Sequence, residues 1–496
     1  MKYLIFVAIL FSSPLATFAE FSFNENCRQA YSDVMCLKFN QATARIDSER
    51  KLNPGNQVPY ILENYIDFLK VMIGEEDTDF ERLQSNKELR LQALARDGKK
   101  SEWYLYSQAL IYLQSGVARI KFEEYVNAGL DINRAYRLLT ENQKKHPDFV
   151  MNKVGLGILH SLIGTVPVKY RWAVNSLNFE GTIQEGSQEI NDAFTEILQN
   201  KELHFLLPET SFLLTFVTLN IVSDVEMAVS LVEKLNTSVL APVIKESPLL
   251  SYALANVYLR SGNNDKAIAI LSNSVHLPGR YPFHYLNYML GVAKLNRLDK
   301  DANFPLLSFL GNFRGKNYIR SAYLHLAWYY LINNDNENYR IYTERIKLRG
   351  SNQVDNDREA LNFATKNQKP DIPLLKARLL SDGGYYARAL DELENFKSDQ
   401  VRDKLEYSYR MGRIYHKNGM YAMAEKYYLE TIVKGENQPY YYAANASLQL
   451  GLIYENQKNY SLARNYFNIV LDLEFDEYQF SLQNKAEAGL NRIKGK

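Results

Sequence analysis

Residues 405–430, "LEYSYRMGRIYHKNGMYAMAEKYYLE", place apolar and aromatic side chains three or four positions apart with polar residues between them. This spacing is typical of amphipathic helices, and the interruption "KNGM" predicts a tight turn between two of them. Two small residues, Gly412 and Ala424, stand on these bulky faces twelve positions apart. We interpret them as the place where the two helices of a hairpin cross closely, because a larger side chain would separate the helices.

The same pattern recurs along the chain. The stretch 450–467 repeats it with an offset of 39 residues, so that Gly451 corresponds to Gly412 and Ala463 to Ala424. Towards the N-terminus the copies are degenerate and keep only an alanine followed by a proline twelve positions later, at 42 and 54 and again at 135 and 147. The small residues of the remaining copies are Ala255, Gly291, Ala327 and Ala377.

These spacings resemble the tetratricopeptide repeat, a helix–turn–helix unit of about 34 residues with small residues and aromatics at set positions. The resemblance implies an all-α fold, an α-solenoid in which helical hairpins stack into a superhelix. The segment 162–190, with Pro167, Phe179, Gly181 and Gly186, is similar to one in the tetratricopeptide-repeat-39 and fungal mitochondrial inclusion-clearance proteins. We interpret it as a helix-breaking insertion between repeats, although the two glycines could serve only close packing.

The N-terminus has the pattern of a cleaved secretory signal. Lys2 precedes the apolar run 3–11, and Thr17 and Ala19 are the small residues before a predicted cut at Glu20. An uncleaved anchor is the alternative. The signal predicts an exported protein, periplasmic or associated with a bacterial cell envelope. After it, the stretch 205–222 is the most apolar, but Pro208 and Glu209 interrupt it, and we predict no membrane span.

The predicted organisation follows from these patterns and from breaks in composition. The polar stretch 348–373 separates two groups of repeats, and a polar helix ends the chain, as expected for the cap of a solenoid. The predicted divisions are 1–19 as signal peptide, 20–240 as divergent helical repeats with the insertion 162–190, 241–350 as three repeats, 351–370 as polar linker or helix, 371–470 as three further repeats, and 471–496 as capping helix.

Charge and composition exclude several classes of function. The 58 basic and 57 acidic residues leave no basic excess, so nucleic acid and anionic membranes are not expected as main partners. The seven histidines are scattered, and the nearest pair, His276 and His284, has no recognised ligand spacing. We therefore predict no catalytic residues, no bound metal and no cofactor. Cys27 and Cys36 are either bridged or two small buried residues.

Three functions remain open: a non-enzymatic scaffold that binds a protein or peptide, a glycan- or nutrient-capture protein of a bacterial outer membrane, and an enzyme with an unrecognised site. The resemblance favours the first, since the first helix of each such hairpin lines a concave groove. We expect an acidic peptide near its arginines and lysine. Counting from the small residues, the groove positions are Tyr252, Asn256, Arg260, Tyr285, Tyr288, Trp328, Arg378, Tyr409, Arg413 and Lys417.

Overall fold

The computed structural model describes residues 21–96, 98–166, 179–366, 368–476 and 478–496. In this part of the chain, all regular secondary structure is helical, with 25 α-helices and no β-strand. Helices that follow one another in sequence pack as antiparallel pairs, as expected for hairpins joined by short turns. The predicted fold class, an all-α array of helix–turn–helix repeats, is confirmed. The predicted signal peptide lies outside the described residues.

The chain forms two compact units. The first ends at Ala253 and also takes in Leu277–Phe283, and the second comprises Leu254–His276 and His284–Lys496. The helices of the first unit are α1 (Glu25–Met35), α2 (Phe39–Leu52), α3 (Val58–Gly74), α4 (Asp77–Leu94), α5 (Trp103–Lys121), α6 (Tyr125–Lys145), α7 (Val150–Gly164), α8 (Ile183–Gln199), α9 (Leu207–Phe216), α10 (Val225–Thr237) and α11 (Ala241–Glu246).

Helix α12 (Pro248–Arg260) contains the border of the two units, so the border differs from the predicted division at residue 240. No polar linker in the sequence marks this border, because the border lies inside a continuous helix. The other helices of the second unit are α13 (Asn264–Ser274), α14 (Tyr285–Asn296), α15 (Asn303–Asn312), α16 (Ile319–Ile332), α17 (Asn336–Leu348), α18 (Asp355–Lys366), α19 (Ile372–Asp382), α20 (Tyr386–Leu393), α21 (Val401–Lys417), α22 (Tyr421–Gly435), α23 (Tyr442–Asn456), α24 (Tyr460–Asp472) and α25 (Gln479–Arg492).

The small residues lie where helices of one hairpin touch. A Cβ atom added to Gly412 on α21 would lie 2.6 Å from the ring of Tyr428 on α22. In the next hairpin, a Cβ atom on Gly451 would lie 2.5 Å from the ring of Phe467. Both rings are fully buried, so each aromatic of the second helix fills the space left by the glycine of the first. This packing explains the repeated glycine and aromatic of the sequence.

Helix α18 occupies the stretch for which the sequence allowed a polar linker or a helix. Its buried Asp357 accepts hydrogen bonds from the backbone N–H groups of Tyr318 (2.7 Å) and Ser321 (2.8 Å) at the start of α16. The first turn of a helix leaves these N–H groups without intrahelical partners, so Asp357 caps α16 from another helix. The polar residues of 351–370 therefore support a packed helix of the second unit.

The first unit contains the longest apolar helical stretch of the described residues. Lys201–Val222, which runs through α9, is long and apolar enough to cross a membrane by length and composition, and 56% of its apolar 18-residue window is buried. Its Glu209 accepts hydrogen bonds from the hydroxyls of Tyr31 and Tyr65 inside the unit. A half-buried carboxylate bonded to buried tyrosines of neighbouring helices is typical of a segment packed in a globular unit.

Cys27 and Cys36 are free and buried, so of the two alternatives the structure shows small core residues. Burial raises the pKa of the Cys36 thiol to about 11 and that of Cys27 to about 12. These thiols are therefore protonated near neutral pH and are poor nucleophiles. They serve the packing of the first unit.

Candidate functional site

The second unit contains a groove that we call the basic groove. Its walls are formed by the inward faces of α16, α18, α19, α21 and α23 and by the start of α25. Seven basic and four acidic residues line it, together with aromatic side chains. The charged residues are Lys366, Arg378, Arg402, Arg410, Arg413, Lys417 and Lys485, with Glu359, Asp382, Glu406 and Asp476.

Helix α21 supplies most of the positive charge because of its residue spacing. Arg402, Glu406, Arg410, Arg413 and Lys417 follow one another at intervals of three or four, which places them on one face of a helix. The opposite face of α21 carries the apolar residues that pack against its neighbours, including Leu405 and Ile414. We call these five residues the charged stripe of α21. A packed helix, rather than a loop, therefore holds the stripe in place.

Ion pairs inside the groove orient the cations. Arg378 on α19 lies 3.2 Å from a carboxylate oxygen of Glu359 and 3.9 Å from one of Asp382. Lys417 lies 3.1 Å from the other oxygen of Asp382. Asp382 is half exposed; partial desolvation in the groove opposes its ionisation, but the cations of Lys417 and Arg378 lower the pKa of its carboxyl below the usual value. Asp382 therefore stays ionised and links α19 to α21.

A second pair lies deeper in the groove. Arg410 donates to Glu406 at 2.9 Å, and the hydroxyl of Tyr442 on α23 donates to the other oxygen of Glu406 at 2.8 Å. Burial opposes the charge of Glu406, but Arg410 and Tyr442 lower the pKa of this carboxyl. The Arg410 guanidinium also lies 5.6 Å from the ring centre of Tyr409. These contacts fix the plane of the Arg410 guanidinium and therefore the direction of its other N–H groups.

Trp328 on α16 forms the aromatic end of the groove. The guanidinium of Arg378 stands 4.9 Å from its ring centre, which is a favourable cation–π distance. The Trp328 side chain is only 5% exposed. Its indole Nε1 is buried and has no hydrogen-bond partner among the described residues. Trp328 therefore contributes a packed ring, covered by Arg378, to the wall of the groove.

Five of the residues predicted for the groove line it: Trp328, Arg378, Tyr409, Arg413 and Lys417. Trp328 and Tyr409 are buried walls rather than exposed contacts, since their exposed fractions are 5% and 4%. Arg413 donates to Gln449 on α23 at 2.5 Å. The predicted arginine and lysine positions on α19 and α21 thus lie together.

The other five predicted residues do not line the basic groove. Tyr288 is 5% exposed, which corrects the prediction that it faces a partner: its hydroxyl bonds to Ser321, and its ring packs against Phe309. Tyr285 stacks on Tyr288 at 5.2 Å. Counting positions from the small residue of the repeat did not predict the burial of Tyr288, because the second helix of this hairpin departs from the repeat pattern. Asn256 and Arg260 lie on α12, and Tyr252 belongs to the first unit.

Several groove residues were not predicted. Glu406 and Arg410 lie on the same helical stripe as Arg413, so helical spacing alone could have identified them. Glu359 and Lys366 come from α18, within the stretch interpreted as linker or helix. Lys485 comes from the predicted capping helix. No sequence pattern indicated that α18 and α25 contribute to the same surface as α21.

Comparisons with known proteins agree with the repeat in this region. Residues 408–440 match the family model of the tetratricopeptide repeat. This match covers most of α21, all of α22 and the turn between them, which is the hairpin that carries the stripe. No curated protein matches the chain.

Two solved structures of low overall similarity to this chain are a hetero-tetramer and a TPR domain. The crystal structure of the APC/C hetero-tetramer Cut9–Hcn1 aligns with a TM-score of 0.26 and 12% identity, over 92% of this chain and 95% of that chain. The TPR domain of P58(IPK) aligns with a TM-score of 0.21 and 13% identity, over 84% of this chain and 100% of that domain. The helix pairs described above, and not these scores, define the fold.

Proposed function

We propose that the protein is a non-enzymatic scaffold that binds a segment of a protein partner in the basic groove. The observation that carries the proposal is the convergence of seven basic and four acidic side chains on a groove walled by aromatics. Arginine, tyrosine and tryptophan are the residue types that contribute most at protein interfaces. Stacked helical hairpins are a common framework for such grooves.

The excess of positive charge in the groove favours an acidic segment. Ion pairs with Glu359, Glu406 and Asp382 already orient the cations of Arg378, Arg410 and Lys417, respectively. Little side-chain entropy is therefore lost when a carboxylate of the partner replaces the water that contacts these cations. The partner is therefore an extended or helical peptide segment with acidic side chains.

The cellular setting belongs to the same proposal. From the predicted signal peptide we propose that the scaffold acts outside the cytoplasm, in the periplasm or cell envelope of a bacterium. The resemblance to the tetratricopeptide-repeat-39 and inclusion-clearance proteins also stays a prediction. Glycan capture is supported less well, because sugar binding uses an open aromatic face and Trp328 is 95% covered by the protein itself.

A charge-matched pair of variants tests the groove. Acidic and basic peptide libraries are selected against the full mature chain, and the affinity of the recovered peptides is measured by fluorescence anisotropy. Arg413→Ala with Lys417→Ala is expected to weaken acidic peptides about tenfold, or about 1.4 kcal/mol. The control, Lys426→Ala with Lys434→Ala, removes the same charge from exposed positions of α22 outside the groove lining.

The melting midpoints of both double variants should stay close to that of the wild type, since these side chains lie outside the core and a partly exposed ion pair such as Lys417 with Asp382 contributes about 0–1 kcal/mol. Equal losses of affinity in the two variants would show that only net charge matters. Selection of basic or uncharged peptides, with affinity unchanged by either variant, would reject the groove as an acidic-segment site.

A further inference from the structure

Helices α7 and α8 of the first unit approach each other unusually closely. A Cβ atom added to Gly186 on α8 would lie 2.3 Å from the carbonyl oxygen of Gly157 on α7. A Cβ atom on Gly181, just before α8, would lie 2.6 Å from the Cα atom of His160. The two glycines of the predicted insertion therefore serve close packing, which was the alternative interpretation of that segment. Part of the segment, 167–178, lies outside the described residues.

This close approach brings three metal-ligating side chains together. Nδ1 of His160 on α7 lies 2.7 Å from a carboxylate oxygen of Glu189 and 3.9 Å from one of Glu185, both on α8. One ligand atom from each of the three residues lies within 4.8 Å of the other two. Glu185 and Glu189 are four residues apart, so they project from the same face of the helix.

The histidine is held in one orientation by its surroundings. Its side chain is 10% exposed, and the ring of Tyr136 meets it edge-on with centres 6.0 Å apart. Tyr136 in turn packs edge-on against Phe179, with centres 5.0 Å apart. A packed imidazole with its Nδ1 directed at two carboxylates is a positioned ligand rather than a flexible surface group.

Glu185 is placed in a way that helix capping does not explain. Thr182 and Glu185 have the spacing of a capping box, and the Thr182 hydroxyl does accept from the backbone N–H of Glu185 at 3.1 Å. In that motif the glutamate side chain usually accepts a hydrogen bond from the backbone N–H of the capping residue. Here its carboxylate lies beside His160 instead, although Glu189 alone suffices to pair with the imidazole.

We propose that His160, Glu185 and Glu189 form a binding site for one zinc ion. Two ligand atoms of a tetrahedral zinc ion lie about 3.4 Å apart, given metal–ligand distances of about 2.0–2.2 Å. The observed 2.7 and 3.9 Å bracket this spacing, so small rotations of the two glutamate side chains complete the ligand set. Glu185 is 52% exposed, which provides a path for the ion and a fourth position for water.

Sequence spacing could not identify this site. His160 and Glu185 are 25 residues apart on different helices, and no local ligand motif contains them. The site is also separate from the basic groove, since all its residues belong to the first unit. It therefore adds to the proposed scaffold function and does not depend on it.

Titration of the metal-free chain with zinc, followed by calorimetry, tests the proposal. We expect one saturable site per chain, and replacement by cobalt should give a visible absorption band typical of nitrogen and oxygen ligands. His160→Gln and Glu185→Gln should each weaken zinc binding at least tenfold. Because Glu185 is half exposed, its variant keeps the fold even where that of His160 does not.

The matched control is Glu196→Gln, which removes a carboxylate from the same helix that pairs with Lys153 of α7 at 2.8 Å. Its zinc affinity should equal that of the wild type. The proposal is overturned by the absence of saturable binding, or by equal affinities of the wild type and the Glu185 variant. Binding of calcium or magnesium that survives His160→Gln would likewise overturn ligation by the imidazole.

Discussion

Gly412 provides the sharpest test of how the repeats pack. Gly412→Ala would place a methyl group 2.6 Å from the ring of Tyr428, and Tyr428 is fully buried and cannot move without displacing its neighbours. Overpacking of this kind costs about 1–3 kcal/mol. Alanine also favours a helix over glycine by about 0.5–1 kcal/mol. The difference predicts that the free energy of unfolding falls by about 0.5–2 kcal/mol.

Gly311→Ala is the matched control. Gly311 is an exposed residue of α15 in the same unit, and a Cβ atom there would meet nothing within 4 Å. The same chemical change should therefore stabilise the protein by about 0.5–1 kcal/mol, through helix propensity alone. The two variants are expected to shift stability in opposite directions, which a general effect of glycine replacement cannot produce.

Urea unfolding followed by circular dichroism gives the stability of each variant. Hydrogen exchange measured on peptides from α21 and α22 shows whether the loss is local to the hairpin. Faster exchange in these peptides is expected for Gly412→Ala and not for Gly311→Ala. An unfolding midpoint of Gly412→Ala at or above that of the wild type would refute the close crossing of α21 and α22.

Three further predictions concern the carboxyls of Glu209 and Asp357 and the N-terminus. Glu209→Leu should destabilise the first unit by about 1–3 kcal/mol for each tyrosine hydroxyl left unpaired, and Glu209→Gln by less, as measured by urea unfolding. Burial raises the pKa of Asp357 to about 6, above its unfolded value of about 3.9, so the stability it contributes is complete below pH 4 and lost as pH rises through 6. The unfolding free energy of the wild type relative to Asp357→Asn should fall by about 2 kcal/mol from pH 4 to 7, and a constant difference would contradict this. Intact mass of the exported protein should show a chain that begins at or near Glu20, and a full-length cytoplasmic species would refute export.

The apolar and small-residue spacing was sufficient to predict the fold class. Helical periodicity is a local property, and each hairpin repeats the same contact between a small residue and an aromatic, as Gly412 with Tyr428 and Gly451 with Phe467. The fold class could therefore be derived without any long-range information. The predicted groove residues on α19 and α21 also lie together, because both helices are first helices of regular hairpins.

Only the tertiary structure decided which surfaces these helices share. Tyr288 has the sequence position of a groove residue but is buried, because its irregular hairpin packs Phe309 and Tyr318 against it. Helices α18 and α25 add charged residues to the basic groove, and the crossing of α7 and α8 joins His160 to Glu185. These contacts link residues far apart in the chain, and their geometry depends on packing angles and close approaches that a local pattern does not encode.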